Sequence, residues 1–195
     1  MAPLVLASAS PRRQELLRNA GIAFIARPTN IPEVPLKGEK PSDFVLRMAR
    51  EKAMAVFLER PDDFVLGADT IVILDGEILG KPRDGADAAR MLRLLSGRTH
   101  QVTTAVCLAG PIGARQPKTG FEDKGSETTS VTVAKLREED IRSYIATGEP
   151  MDKAGAYGIQ GIASRWISRI EGDYFNVVGL PVALVYRMLK EREVF

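Results

Sequence analysis

The 195-residue chain has almost none of the residues that staple a small protein or dress a transition metal, with one cysteine and one histidine. A lone Cys107 forms no internal disulfide, so nothing calls for an oxidising compartment, and a reducing cytoplasm is the simplest expectation. A lone His100 excludes a histidine-rich metal site, and a Ser-His-Asp triad would have to use it. No nucleophile-elbow pattern accompanies that histidine, whose setting Arg98-Thr99-His100-Gln101 reads as a strand entrance. No stretch reaches the roughly 18 apolar residues of a membrane span. The start, Met1-Ala2-Pro3-Leu4-Val5-Leu6, lacks a basic leader region, so neither a membrane helix nor a secretion signal is expected. The formal charge is only +2 and is spread along the chain, which argues against broad binding of nucleic acid and leaves anion recognition to local sites. Internal repeats and low-complexity tails are also missing.

What is present is an ordinary apolar fraction, 45%, enough for one large domain or two closely packed lobes. Leu4 to Ala7 reads as a buried strand, after which Ser10 caps a helix with Pro11 in its first turn, the stripe Leu16, Leu17 and Ala20, and Gly21 at its end. A second helix is expected from Ser42 to about Glu59, with Val45, Met48, Ala49, Ala53, Val56 and Phe57 at helical spacing and Pro61 beyond it. Phe64 to Leu74 predicts a strand, Asp75-Gly76 a two-residue hairpin turn, and Glu77 to Lys81 the returning strand. A helix over Asp84 to Ser96, a strand from Thr99 to Leu108, an exposed connection from Gly110 to Gly125 and a strand from Glu127 to Leu136 follow. A short helix at Glu138 to Ala146, a glycine-rich segment from Gly148 to Gly161, an antiparallel pair between Trp166 and Val178 and a helix from Pro181 complete the reading. This alternation predicts an α/β fold with a mixed, twisted sheet flanked by helices.

Several residues could carry chemistry. Ser8-Ala9-Ser10-Pro11-Arg12-Arg13 places hydroxyls and two guanidiniums at a strand-to-helix junction, where backbone N–H groups and the helix dipole favour anions. An ordinary N-cap followed by solvated arginines accounts for the same letters. Asp69 interrupts the apolar run from Phe64 to Leu74, and a buried carboxylate needs a metal, a lysine or a polarised water as partner. A strand-edge aspartate bonded to backbone is the plainer reading. Counting outward from Asp75-Gly76 sets Thr70 opposite Lys81, so Lys81 returns beside Asp69, but strict pleating puts the two on opposite faces unless pairing ends or bulges near Gly80. Lys52 enters the apolar stripe of the second helix, where it either reaches a buried anion or snorkels to solvent. Glu33, in a low-charge loop, is a candidate second carboxylate for a metal. In Gly155-Ala156-Tyr157-Gly158-Ile159-Gln160-Gly161, glycines permit close backbone approach and Gln160 offers both a donor and an acceptor to a base edge.

In order and spacing, Ser8 to Arg13, Gly67-Ala68-Asp69-Thr70, Lys81-Pro82, Ser96 to Val102 and Ala154 to Gly161 resemble the Maf family over nearly the whole chain. That resemblance implies an ITPase-like fold with two lobes around a cleft, a divalent cation such as Mg²⁺ or Mn²⁺, and hydrolysis of nucleoside triphosphates to monophosphate and pyrophosphate. It implies Asp69 as proton acceptor, Arg12, Thr70 and Gln160 as determinants of substrate choice, and Ser8, Ser10, Arg13, Glu33, Lys52 and Lys81 as phosphate- or metal-side groups. Those three, Arg12, Thr70 and Gln160, match the dTTP/UTP branch. The branch that prefers 7-methyl-GTP carries glutamine after the aspartate and glutamate at the later position. A non-catalytic nucleotide-binding regulator of cell division is the alternative from another class. Oligomeric state, a homodimer included, is left open, as is the strand order.

Overall fold

In the computed structural model, which describes residues 4–111 and 120–194, parallel strands open the fold. Leu4–Leu6 (β1) lies between Phe24–Ala26 (β2) and Phe64–Leu74 (β3), with Leu4 opposite Phe24 and Phe64, and Leu6 opposite Ala26 and Leu66. Parallel neighbours need crossovers. Pro11–Asn19 (α1) supplies the first and Pro41–Phe57 (α2) the second. Glu77–Leu79 (β4) returns antiparallel along the far end of β3, and Thr99–Pro111 (β5), Gly120–Val133 (β6) and Ile167–Glu171 (β7) extend the seven-stranded sheet in the order β2-β1-β3-β5-β6-β7. The remaining helices are Gly85–Leu95 (α3), Glu138–Ala146 (α4), Tyr174–Val178 (α5) and Val182–Glu191 (α6). The expected mixed sheet with flanking helices is therefore present. Among the described residues no helix is long and apolar enough to cross a membrane.

Two compact units share the chain, one of Met1–Asp69, Thr104–Glu127 and Gly179–Phe195, the other of Thr70–Thr103 and Thr128–Val178. In the first, Ser10 caps α1 by accepting from the Arg13 N–H, and Leu16 and Leu17 are buried beneath it. Buried residues of α2 include Phe44, Val45, Met48, Ala49, Ala53, Val56 and Phe57, and each large one contributes roughly 1.5–3 kcal/mol by leaving water. Ala49 and Ala53 press on Gly67 of β3, where an added Cβ would overlap the Ala49 carbonyl oxygen and come within 2.6 Å of the Ala53 nitrogen. Only glycine permits that approach, and it brings the middle of α2 onto the backbone of β3.

In the second unit, Asp75 and Gly76 both have positive φ, 52° and 83°, as a type I′ hairpin turn requires. The register matches Leu74 with Glu77 as counted from the sequence, but pairing stops at Val72 and Leu79. Lys81 therefore lies beyond the ladder, exposed, and the Gly80 carbonyl instead accepts from the Gly155 N–H at 3.0 Å. Ending the ladder early removes the pleating constraint that would have fixed the face of Lys81.

Two expectations fail. The stretch Gly110 to Gly125 is strand at both of its described ends, and residues 112–119 lie outside the described residues. Its charge misled because it is paired within the first unit: Arg50 holds Glu122 at 2.6 and 2.8 Å, Arg192 holds Asp123 at 2.6 and 2.7 Å, and Phe121 tilts against Phe64. Between Trp166 and Val178 there is one strand rather than two. β7 pairs with β6, and the chain then turns into α5, where Asp173 Oδ1 accepts from the Phe175 N–H and Asn176 is buried, donating to Val102 O and Thr129 Oγ1. The Asp173 side chain thereby satisfies a backbone N–H that a second strand would have paired.

His100 is 2% exposed, its Nε2 lies 2.7 Å from the Tyr157 hydroxyl, and its Nδ1 has no hydrogen-bond partner among the described residues. Burial pushes its pKa down from 6.5 to about 4. The unfolded chain then binds the extra proton between those values, so stability rises with pH across the window and is lost as pH falls through it. His100→Gln should flatten that limb: from pH 6.5 to 4.5 the wild-type urea midpoint declines more steeply than the variant's, whose carboxylate-linked loss sets in only as pH nears 4.5. Equal declines in both would remove His100 as the cause.

Candidate active site

The end of β1 and the first turn of α1 form the first wall. Ser8 Oγ accepts from the Ser10 N–H and from Arg13 Nη1, both at 3.2 Å, and Arg13 Nε donates to the Gly179 carbonyl at 2.8 Å. Arg13 is thus a buried guanidinium held from both sides rather than a solvated one, while Arg12, next to it, is half-exposed. Burial lowers the Arg13 pKa, with the charges of Asp69 and Glu33 opposing that shift and Arg12 adding to it. A guanidinium stays protonated under such a shift, so fixed positive charge lies at the helix N-terminus, where the dipole also favours an anion.

Two residues beyond Gly67 on the same face of β3 comes Asp69, because side chains alternate along a strand. The contact of Gly67 with Ala49 and Ala53 holds α2 close there, and Lys52, between those alanines in sequence, reaches across. Its Nζ donates to Asp69 Oδ1 at 2.6 Å and to Glu33 Oε1 at 2.6 Å. The side chains of Lys52 and Asp69 are 9% and 8% exposed, whereas that of Glu33 is 37% exposed. Lys52 therefore reaches a buried anion and does not snorkel.

The loop that carries Glu33 is tied to α2 by contacts the sequence did not flag. Arg47 holds Glu39 at 2.6 and 2.7 Å and donates to the Val34 carbonyl at 3.1 Å, and Glu39 Oε2 accepts from the Leu36 N–H at 2.9 Å. The hydrogen bonds from Arg47 keep the Glu39 pKa down at about 2. Only Arg47 and Glu51, four apart on α2 and 3.0 Å from one another, had a readable spacing.

Ser8, Ser10, Arg12, Arg13, Glu33, Lys52 and Asp69 accordingly belong to one unit, and Ser8, Ser10 and Arg13 form one bonded group and Glu33, Lys52 and Asp69 another. The long-range pull of Asp69 and Glu33 on Arg13 relates the two electrostatically. Thr70, Lys81 and Gln160 belong to the second unit: Thr70 is half-buried on β3, Lys81 is exposed past β4, and Gln160 is exposed on the turn Gly158–Gly161. Among the described residues no group of three or more His, Cys, Asp and Glu could hold a metal. Two carboxylates converging on a single cationic atom do suit a hard divalent ion whose other ligands are substrate phosphates and water.

A buried Asp69 that loses its ammonium is left uncompensated, which costs about 3–5 kcal/mol. Lys52→Met should lower unfolding free energy by that order in urea titration, and adding Asp69→Leu should recover much of it. A loss below about 1 kcal/mol, the range of exposed pairs, would mean that water solvates Asp69 unaided.

The family model described as "Maf-like protein" matches residues 3–192. A protein of Koribacter versatilis named dTTP/UTP pyrophosphatase is 59% identical over 96% of this chain and 93% of its own. One from Anaeromyxobacter dehalogenans with the same name is 51% identical over 97% of this chain and 94% of its own. Among solved structures, a nucleoside-triphosphatase / dITP/XTP pyrophosphatase from Mycobacterium abscessus is 18% identical, covers 69% of this chain and 74% of its own, and has a TM-score of 0.41.

Proposed function

The chain belongs to the Maf-like protein family, and from that premise we propose that it hydrolyses dTTP and UTP to the monophosphate and pyrophosphate. The observation that carries this reading is the buried Asp69 held by Lys52 beside Glu33, in a chain whose curated relatives share one activity name over nearly their whole length.

Asp69 is the proton acceptor. Lys52 engages Oδ1 and so fixes the carboxylate in one rotamer, leaving the second oxygen to take a proton from the water that attacks the α-phosphorus. The bond formed is from that water oxygen to the α-phosphorus, the bond broken is from the α-phosphorus to the bridging oxygen, and pyrophosphate departs. Arg13, held by Ser8 and the Gly179 carbonyl, presents positive charge without further reorganisation, and such preorganised charge is the main lever on phosphoryl chemistry. Arg12 and Lys81 complete the neutralisation of the triphosphate, and Lys52 shares in it. A divalent cation would be held by Glu33 and Asp69 and, when bound, would neutralise phosphate oxygens and polarise the phosphorus.

Substrate choice is assigned to Arg12, Thr70 and Gln160. Uracil and thymine present an acceptor O4 beside a donor N3–H, and the carboxamide of Gln160 offers the complementary donor and acceptor. Cytosine reverses that pattern. A cytoplasmic location suits a chain whose one cysteine, Cys107, is buried with its thiol pKa pushed up to about 12.

Carboxylate bases contribute about 10²–10⁴-fold to turnover. Asp69→Asn should therefore lose pyrophosphate release by that order while keeping its circular-dichroism spectrum, and the wild type should rank dTTP and UTP above 7-methyl-GTP in kcat/KM. Near-normal turnover in the variant would take the base role from Asp69, and the reverse ranking would move the chain to the methylated-purine branch.

A further inference from the structure

Gln160 occupies a corner of a four-residue turn closed by the Gly161 N–H donating to the Gly158 carbonyl at 3.1 Å, with Ile159 buried and Gln160 exposed. A turn with one outward side chain aims that side chain only as well as its ends are held. Here both ends are held by residues outside it. The Glu149 carboxylate receives the Ile162 N–H on both oxygens, each at 3.1 Å, and Oε1 also accepts from the Tyr144 hydroxyl at 3.0 Å. That same hydroxyl accepts from the Gly158 N–H at 3.3 Å. A three-member chain of hydrogen bonds therefore runs from the residue that begins the turn, through Tyr144 and Glu149, to the residue that follows it.

The anchorage is close-fitting. A Cβ on Gly161 would overlap the Glu149 carboxylate, and one on Gly158 would come within 2.6 Å of the Lys153 side chain. Lys153 Nζ in turn donates to the Glu149 carbonyl at 2.6 Å, which fixes the start of the turn Glu149–Asp152. Tyr144 is 1% exposed and its ring stands edge-on to Trp166 at 5.4 Å, so the hydroxyl has no freedom to follow a drifting loop. It projects from α4, which Arg93 of α3 grips through Glu138 at 2.8 Å.

We propose that Glu149, acting with Tyr144, is the positioning residue for Gln160 and so sets discrimination among nucleobases without touching the substrate. This rests on the reading of Gln160 as a base-edge contact. Its chemistry is that of a carboxylate spent on one backbone N–H, that of Ile162, and on the Tyr144 hydroxyl: charge-assisted bonds stronger than neutral ones, made to groups that hold the two ends of the turn. Proximity effects give the scale, since misplacing a contact by about 1 Å costs on the order of 10²-fold.

The test compares kcat and KM for dTTP and dCTP in the full-length wild type, Glu149→Ala, Glu149→Gln, Tyr144→Phe and Gln160→Ala. Gln160→Ala should cut the dTTP-to-dCTP ratio of kcat/KM by about tenfold or more, toward the 10²-fold scale. Glu149→Ala should produce the same cut, mainly through a raised KM for dTTP, with kcat changed less than about threefold on this positioning account. Glu149→Gln keeps a carbonyl acceptor for Ile162 and should fall between Glu149→Ala and the wild type. Combining Glu149→Ala with Gln160→Ala should add little, because both remove one interaction. Tyr144→Phe removes one hydroxyl, keeps the ring on Trp166, and carries the same test should Glu149→Ala fail to fold. If Gln160→Ala flattens discrimination while Glu149→Ala and Tyr144→Phe slow both nucleotides equally through kcat, the positioning role is overturned and the reading of Gln160 survives. Unchanged discrimination in Gln160→Ala overturns both.

Discussion

The ammonium of Lys52, shared between Asp69 and Glu33, is the interaction on which the rest of the site depends. Moving a carboxylate into a strand interior is unfavourable by several kcal/mol unless a partner meets it there. That partner must be long, cationic and already desolvated, which places it on the buried stripe of a neighbouring helix. Reaching Asp69 then requires α2 to lie against β3 with almost no gap, and Gly67 against Ala49 and Ala53 makes the gap small enough. A glycine in the strand and small residues on the helix are thus part of the framework of the candidate site although none of them has a functional group. Arg47 extends the same logic to the loop before α2, where it fixes Glu39 and Val34 and so limits where Glu33 can be.

Much of this was legible in the sequence because it follows from periodicity. The bounds of β3 and α4 follow from the apolar pattern and its breaks, and the α1 cap at Ser10 from its residue type. Asp69 stood out as polar within an apolar run and Lys52 as charged within an apolar stripe, and two such violations of pattern on neighbouring elements proved to be one ion pair. What periodicity could not supply was the point at which a ladder ends. Counting from the turn sets Lys81 opposite Thr70, but the carbonyl of Gly80 accepts from Gly155 instead, and pairing stops at Leu79.

Glu149 and Tyr144 left no sequence signal for a different reason. Their contacts run from side chain to backbone across 13 and 14 residues, and no spacing rule exists for a loop whose path is itself set by those contacts. The charged stretch at the start of β6 departs from its sequence expectation for a related cause. Polar letters suggest solvent, yet Glu122 and Asp123 satisfy arginines far away in sequence, and charge of that kind is compatible with a strand. Local composition reports whether a residue tolerates water; it is silent on which distant residue will occupy it.

The hydrogen bond from Arg13 to the Gly179 carbonyl joins residues 166 apart, in a unit assembled from the beginning, middle and end of the chain. Closing so long a loop is entropically costly and comes late in the ordering of contacts. A chain emerging from synthesis carries Arg12, Arg13, Lys52 and Asp69 well before it carries the Gly179 carbonyl that orients Arg13. The arrangement around Arg13 is consequently completed only when distant parts of the first unit meet, and a chain that stops short of Gly179 holds the candidate-site residues without that constellation.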